Sequence, residues 1–294
     1  MKLGRLSFGF VTSYYQPDLS TLNGILSNRQ VTILADPNYL LPGNPGFRVE
    51  ARNIAVEDIG ANPWFGMEAE WALSPSFALR LTGGVWEGEG LASDTVVTFL
   101  RSNLPQIEVP RSARYSLVLD QFFLDWRYYF LNDPRRGRIS LDLGLVGVTL
   151  GYLTIDAVEK VVNPAAPRGG FAAVSSTEAN GTSFISRYGV TGEYFLTKHL
   201  ALGFSGYYLV GSLNKLEISR NFTAGFPQVP IPEPLSIRAG VPLPTTPPTP
   251  NVGQNITYAT SVTDPRGVEN IGPQQNLILE LDGPQVSGYI RYHF

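Results

Sequence analysis

Cysteine is absent from this chain of 294 residues, which excludes a disulfide framework, a thiolate nucleophile and a thiol metal site. Lysine is almost absent, occurring at Lys2, Lys160, Lys198 and Lys215, whereas a soluble β-protein of this length carries many lysines on its water-facing side. Histidine is limited to His199 and His293, too sparse a supply for a transition-metal site. The net charge is -3 and no basic run is present, so no nucleic-acid partner is expected. Long apolar runs are missing as well. No window approaches the roughly 20 apolar residues of a transmembrane helix, so any passage through a membrane has to be made by strands. The opening Met1-Lys2-Leu3-Gly4-Arg5 enters an alternating strand without the apolar core of a secretory signal, and the expectation is that a signal peptide has been removed.

What the chain does have is alternation. The closing stretch puts Val286, Gly288, Ile290, Tyr292 and Phe294 on one face and Ser287, Tyr289, Arg291 and His293 on the other, the two-sided pattern of a barrel strand. The same period marks strands near 3–15, 62–73, 77–90, 114–131, 137–155, 182–196, 199–216 and 276–294. Connections between them alternate in length. Ser74-Pro75-Ser76, Asn132 to Arg136 and Thr197-Lys198 are tight, while 16–61, 91–113, 156–181 and 217–275 are long. Short turns on one rim and long loops on the other are the arrangement of an outer-membrane barrel, and both termini then fall on the short-turn rim.

One parity holds nearly all the charge. With Phe65, Met67, Ala69, Trp71, Leu79, Leu81, Val85, Phe122, Leu124, Trp126 and Tyr128 turned to lipid, Glu68, Glu70, Arg80, Asp125, Arg127, Asp142, Arg187, Glu193 and Arg291 point inward. Period alone cannot say which face is outside, because a lipocalin-like soluble barrel alternates with the opposite polarity. Scarce lysine, charges of both signs on the polar face and aromatic residues near strand ends, such as Trp71, Phe77, Phe130, Tyr194, Tyr292 and Phe294, favour the membrane arrangement.

A hairpin unit occurs twice. Gly66 to Leu73 followed by Phe77-Ala78-Leu79 matches Gly189 to Leu196 followed by Leu200-Ala201-Leu202, each reading Gly-x-x-x-Glu-aromatic-x-Leu before its turn. On these hairpins and the terminal Tyr292-His293-Phe294, the chain resembles the small bacterial outer-membrane β-barrels, the OmpA-like, OmpX-like and OmpW-like proteins. The resemblance covers the strands and not the loops. It implies an all-β, eight-stranded, antiparallel up-and-down transmembrane barrel forming a single domain over 1–294. It further implies residence in the bacterial outer membrane, contact with its lipid and lipopolysaccharide, and Tyr292 and Phe294 read as a signal by the barrel-assembly machinery. A monomer without cofactor or metal is expected.

An eight-stranded barrel is just wide enough for its side chains to fill. The inward charges are therefore expected to pair as a plug, with a gate that switches partners as the sharper alternative. Both histidines fall near the short-turn rim, away from the outer leaflet where a lipid-modifying enzyme works. Their expected role is interfacial. Glu87 and Glu89 form a carboxylate pair at the outer end of a strand, where a solvated rim is the plainer reading. A calcium site from Glu57, Asp58 and Asp94 lacks any loop motif. In the first loop Asp18 can cap a helix bearing Leu19, Leu22, Ile25, Leu26 and Arg29, a lid for the barrel mouth or a lipid or partner contact. The last loop carries nine prolines between Phe226 and Pro250, which favours extended polyproline segments. Function is expected to lie in these outer loops, in envelope-structural, adhesive or partner-binding roles, with a narrow OmpW-like channel or carrier for a small molecule as the alternative.

Overall fold

The computed structural model describes residues 6–27, 47–52, 55–101, 107–133, 135–162, 170–227, 252–258, 261–263, 269–271 and 275–294. Eight strands make the wall: β1 (Leu6–Tyr15), β2 (Asn62–Ala72), β3 (Phe77–Arg101), β4 (Ile107–Asp133), β5 (Gly137–Val162), β6 (Gly170–Phe195), β7 (Leu200–Leu213) and β8 (Gly283–His293). Each pairs antiparallel with the next. The last returns to the first, with Ser7 opposite His293 and Tyr15 opposite Gln285. The sheet is a closed up-and-down ring, which leaves no unpaired edge in the wall. Tight turns join the strands at the end where both termini lie, held by bonds such as Leu73 N–H to the Phe77 carbonyl at 2.9 Å and Leu196 N–H to the Leu200 carbonyl at 2.9 Å.

The alternation decides the faces. Phe8, Phe10, Phe65, Met67, Leu81, Phe122, Leu141, Leu143, Val190, Phe204 and Ile290 point outward and are exposed, Phe10 at 71 % and Phe204 at 74 %. Such a continuous apolar exterior is far larger than a water-facing protein tolerates, and it matches the band that a bilayer covers. Aromatic side chains line the short-turn end. Phe77 packs against Trp126 and Tyr128 at 5.5 and 5.2 Å, and Phe294 meets Phe8 and Tyr292 edge-on at 5.9 and 5.0 Å. One bulge interrupts the period in β5, between Leu143 and Gly147, and there Leu145 and Val146 both face outward, each 50 % exposed.

The outer connections differ from the sequence expectation. The spans 91–113 and 156–181 are mostly strand. The β3–β4 ladder runs on to Phe99 opposite Ile107, and the β5–β6 ladder to Val162 opposite Gly170. In these stretches the apolar–polar alternation that marks a strand in sequence is weak, although the backbone keeps pairing. The extension gains further strands from the remaining loops: Phe47–Arg52 and Ala55–Glu57 pair with β3, and Glu217–Pro227 pairs with β6. The terminal stretch is also broken up, Gln275–Asn276 and Leu279–Glu280 preceding β8 as separate short strands.

Helix α1 (Ser20–Ser27) sits inside this outer rim. Asp18 Oδ1 accepts from Ser20 N–H at 3.0 Å, a side-chain cap at the helix start. Leu19, Leu22 and Ile25 are buried. The Asn23 amide clasps Ile59, donating to its carbonyl at 3.0 Å and accepting from its N–H at 2.9 Å. Around the helix, Ile59, Trp64, Trp86, Tyr115, Leu117, Leu119, Leu153, Leu209, Leu213, Leu216, Ile256 and Leu281 form one apolar cluster. The outer half of the barrel is thus closed by an oily cap. Arg29 and residues 228–250 of the proline-rich stretch lie outside the described residues.

Candidate functional site

The inner half of the lumen is a charge network built by strand parity. Glu68 and Glu70 come from β2, Arg80 from β3, Asp125 and Arg127 from β4, Arg138 and Asp142 from β5, Arg187 and Glu193 from β6, and Arg291 from β8, all of them buried. Asp125 accepts from Arg80 at 2.9 and 2.7 Å and from Arg187 at 3.0 and 2.6 Å. Arg127 grips both oxygens of Asp142 at 2.8 and 2.9 Å and reaches Glu70 at 2.5 Å. Arg291 joins Glu68, Glu70 and Glu193, the first at 2.8 Å through Nε and the others at 2.7 and 2.9 Å. Arg138 links Glu193 at 3.0 Å to Glu70 at 2.9 Å. Arg80 approaches Asp142 at 3.3 Å and Glu68 at 3.7 Å, so the parts are continuous.

Counted by charge, five arginines face five carboxylates among the buried described residues. The arginine and carboxylate charges of the layer balance. Neutrality matters because a guanidinium or carboxylate in so dry a space is tolerable only when paired and hydrogen-bonded. The remaining lone pairs are taken by hydroxyls: Tyr129 donates to Glu70 at 2.6 Å, and Thr191 and Tyr207 each donate to Asp142 at 2.6 Å. Aromatic faces cover the guanidiniums, Phe123 under Arg187 at 4.0 Å and Tyr289 under Arg291 at 4.6 Å.

Every inward residue expected from sequence lies in this layer. Further members outside that expected set include Arg138, Tyr129, Tyr207 and Thr191. Parity is the signal that finds three of them, since Arg138 shares the face of Asp142, Tyr129 that of Arg127, and Thr191 that of Glu193. His293, expected at the interfacial rim, is instead buried, its Nε2 at 2.7 Å from Glu193 Oε1. The polar face of β8 carries it inward with Arg291. His199 does sit at the rim, its ring stacked on Tyr292 at 5.5 Å and its Nδ1 at 2.8 Å from the His293 carbonyl. Tyr292 and Phe294 point outward and are exposed.

The outer carboxylates do not converge. Glu87 and Glu89 are exposed on the outside of β3, and Glu89 pairs with Arg114 at 2.5 Å. Glu57 and Asp58 are exposed, and the Asp94 side chain lies outside the described set. No group of three acidic, histidine or cysteine residues able to hold a metal ion occurs among the described residues.

No family model and no curated protein matches the sequence. Among solved structures, the chain is similar to the outer membrane protein OprG from Pseudomonas aeruginosa, with 11 % identity, a TM-score of 0.38, and coverage of 100 % of this chain and 97 % of that one. It is also similar to the outer membrane protease OmpT from Escherichia coli, with 11 % identity, a TM-score of 0.27, and coverage of 99 % and 94 %. The barrel architecture itself rests on the closed strand pairing of this chain.

Proposed function

We propose that this protein is a non-enzymatic barrel of the bacterial outer membrane, a filled scaffold that displays its outer extension for an envelope-structural, adhesive or partner-binding role. The observation that carries this reading is the neutral charge layer beneath an apolar cap. Each arginine of the layer is engaged by at least one carboxylate at 3.0 Å or less, and the space above is packed with leucine and tryptophan. Ions crossing a narrow lumen need a continuous column of water, and both layers oppose one. The exterior apolar band supports contact with lipid and lipopolysaccharide. Exposed Tyr292 and Phe294 support recognition of the last strand by the barrel-assembly machinery, with the protein acting as a monomer.

A second reading, a narrow channel or carrier for a small apolar molecule, is favoured by the apolar lining of the outer half. The two differ in planar bilayers. A scaffold gives little or no stable conductance and no solute uptake into vesicles. Reproducible single-channel steps, altered by charge reversal at Arg80 or Glu193, would reject it in favour of the channel.

A further inference from the structure

Between the charged layer and the oily cap lies a third set of inward groups that neither layer satisfies. Both side-chain atoms of Gln285, the Gln121 Oε1, the hydroxyl of Thr149 and the indole N–H of Trp64 are buried with no hydrogen-bond partner among the described residues, and the Gln121 amide nitrogen has the Tyr15 oxygen beside it and nothing else. Gln121 and Thr149 are fully buried, Gln285 is 1 % exposed and Trp64 is fully buried. The ladders bring them together. Gln121 on β4 stands opposite Thr149 on β5 and opposite Gly84 on β3. The Trp64 ring lies across Gly66 and Gly84, its atoms filling the space that a Cβ on either glycine would take. Gln121 also lies beside the Tyr15 hydroxyl, and Tyr15 is the ladder partner of Gln285.

Apart from one acceptor, the Tyr15 oxygen beside the Gln121 amide, the surroundings offer these groups little. Thr149 is flanked on its own face by Gly147 and Gly151, which bring no side chain. Tyr15 gives its hydroxyl hydrogen to the Leu281 carbonyl, so toward Gln121 it can only accept. On one side stand Phe123 and Tyr207, covering arginines; on the other stand Leu119, Leu209 and Trp86. Two primary amides, a hydroxyl and an indole N–H left dry in one place would each carry the full cost of lost hydration. A water molecule needs two to four polar partners, and this layer supplies donors and acceptors together.

We infer that the lumen holds a sealed set of ordered water molecules at this level, bound by Gln121, Gln285, Thr149 and Trp64. The waters would be closed off outward by helix α1 and its leucines and inward by the paired arginines. The barrel would then be hydrated at mid-depth without conducting. The site is independent of whether the outer surface binds a partner.

The test is a pair of NOE and ROE spectra recorded at the water frequency on the full chain. The protein is deuterated, labelled with 15N-glutamine and refolded into deuterated detergent. Q121L and Q285L assign the two side-chain amides, and heat-modifiable gel mobility confirms that each variant has closed its barrel. The expected result is a dipolar cross-peak from water to both amides, distinguished from proton exchange by its sign in the ROE spectrum. Each substitution should remove its own peak. Absence of water cross-peaks at both amides in a folded barrel, with the exposed Gln16 amide giving one, overturns the inference. Cross-peaks to carbon-bound protons of a non-deuterated solute also overturn it, since the occupant would then not be water.

Discussion

Replacing Arg127 with methionine keeps much of the side-chain volume and deletes one charge from the neutral layer. Four guanidiniums then face five carboxylates. Glu70 keeps Arg291 at 2.7 Å and Arg138 at 2.9 Å, so it loses little. Asp142 loses both short bonds and is left with Arg80 at 3.3 Å, the Ser140 hydroxyl at 3.2 Å and the hydroxyls of Thr191 and Tyr207. Removing one partner of a buried ion pair costs about 3–5 kcal/mol, and the surviving contacts of Asp142 put the expected loss at about 3 kcal/mol. The measurement is a urea titration of the barrel folded into lipid vesicles, read by tryptophan fluorescence and by heat-shifted gel mobility. The double variant R127M/D142L restores neutrality, and because a buried pair replaced by apolar groups is often neutral, it should recover most of the loss. A coupling energy of about 2 kcal/mol is expected, within the usual range for residues in direct contact. If R127M falls within about 0.5 kcal/mol of wild type and the two substitutions add without coupling, the layer is screened by solvent. The argument for a filled lumen would then be wrong.

Other expectations are equally direct. Gly203→Val drives side-chain atoms into the Tyr289 ring, which already fills the space a Cβ on Gly203 would take, and should cost about 1–3 kcal/mol as overpacking; Gly206→Ala, where nothing lies within 4 Å, should be nearly silent in the same titration. Asn23→Leu removes both bonds to Ile59 and should raise hydrogen exchange in α1 while leaving the heat-shifted mobility of the barrel unchanged; unaltered exchange would show that the clasp does not hold the cap. Deleting Phe294 should lower outer-membrane levels in cells while affecting refolding in detergent less, and equal levels of the deletion and wild type would remove the assembly role.

The division between what was legible and what was not follows the range of each force. Alternation is local, fixed by the geometry of one strand, and so the sequence alone assigned which residues of β2, β3, β4 and β8 face inward and which face outward. Asp18 and the leucine spacing likewise marked α1, because a cap and a helical stripe need only a few neighbouring residues. The tight turns were legible for the same reason. Where the alternation is weak in sequence, as in 91–101 and 170–181, the strands passed unmarked although the backbone pairs there. Partners across the lumen were beyond reach, because the contact of Arg291 with Glu68 joins residues 223 positions apart and depends on how the ring closes. The inward turn of His293 became meaningful only once β6 brought Glu193 opposite it. Stacking of the lumen into a charged layer, a set of unpartnered amides and an oily cap is a property of eight strands meeting around one axis, and only their tertiary arrangement decided it.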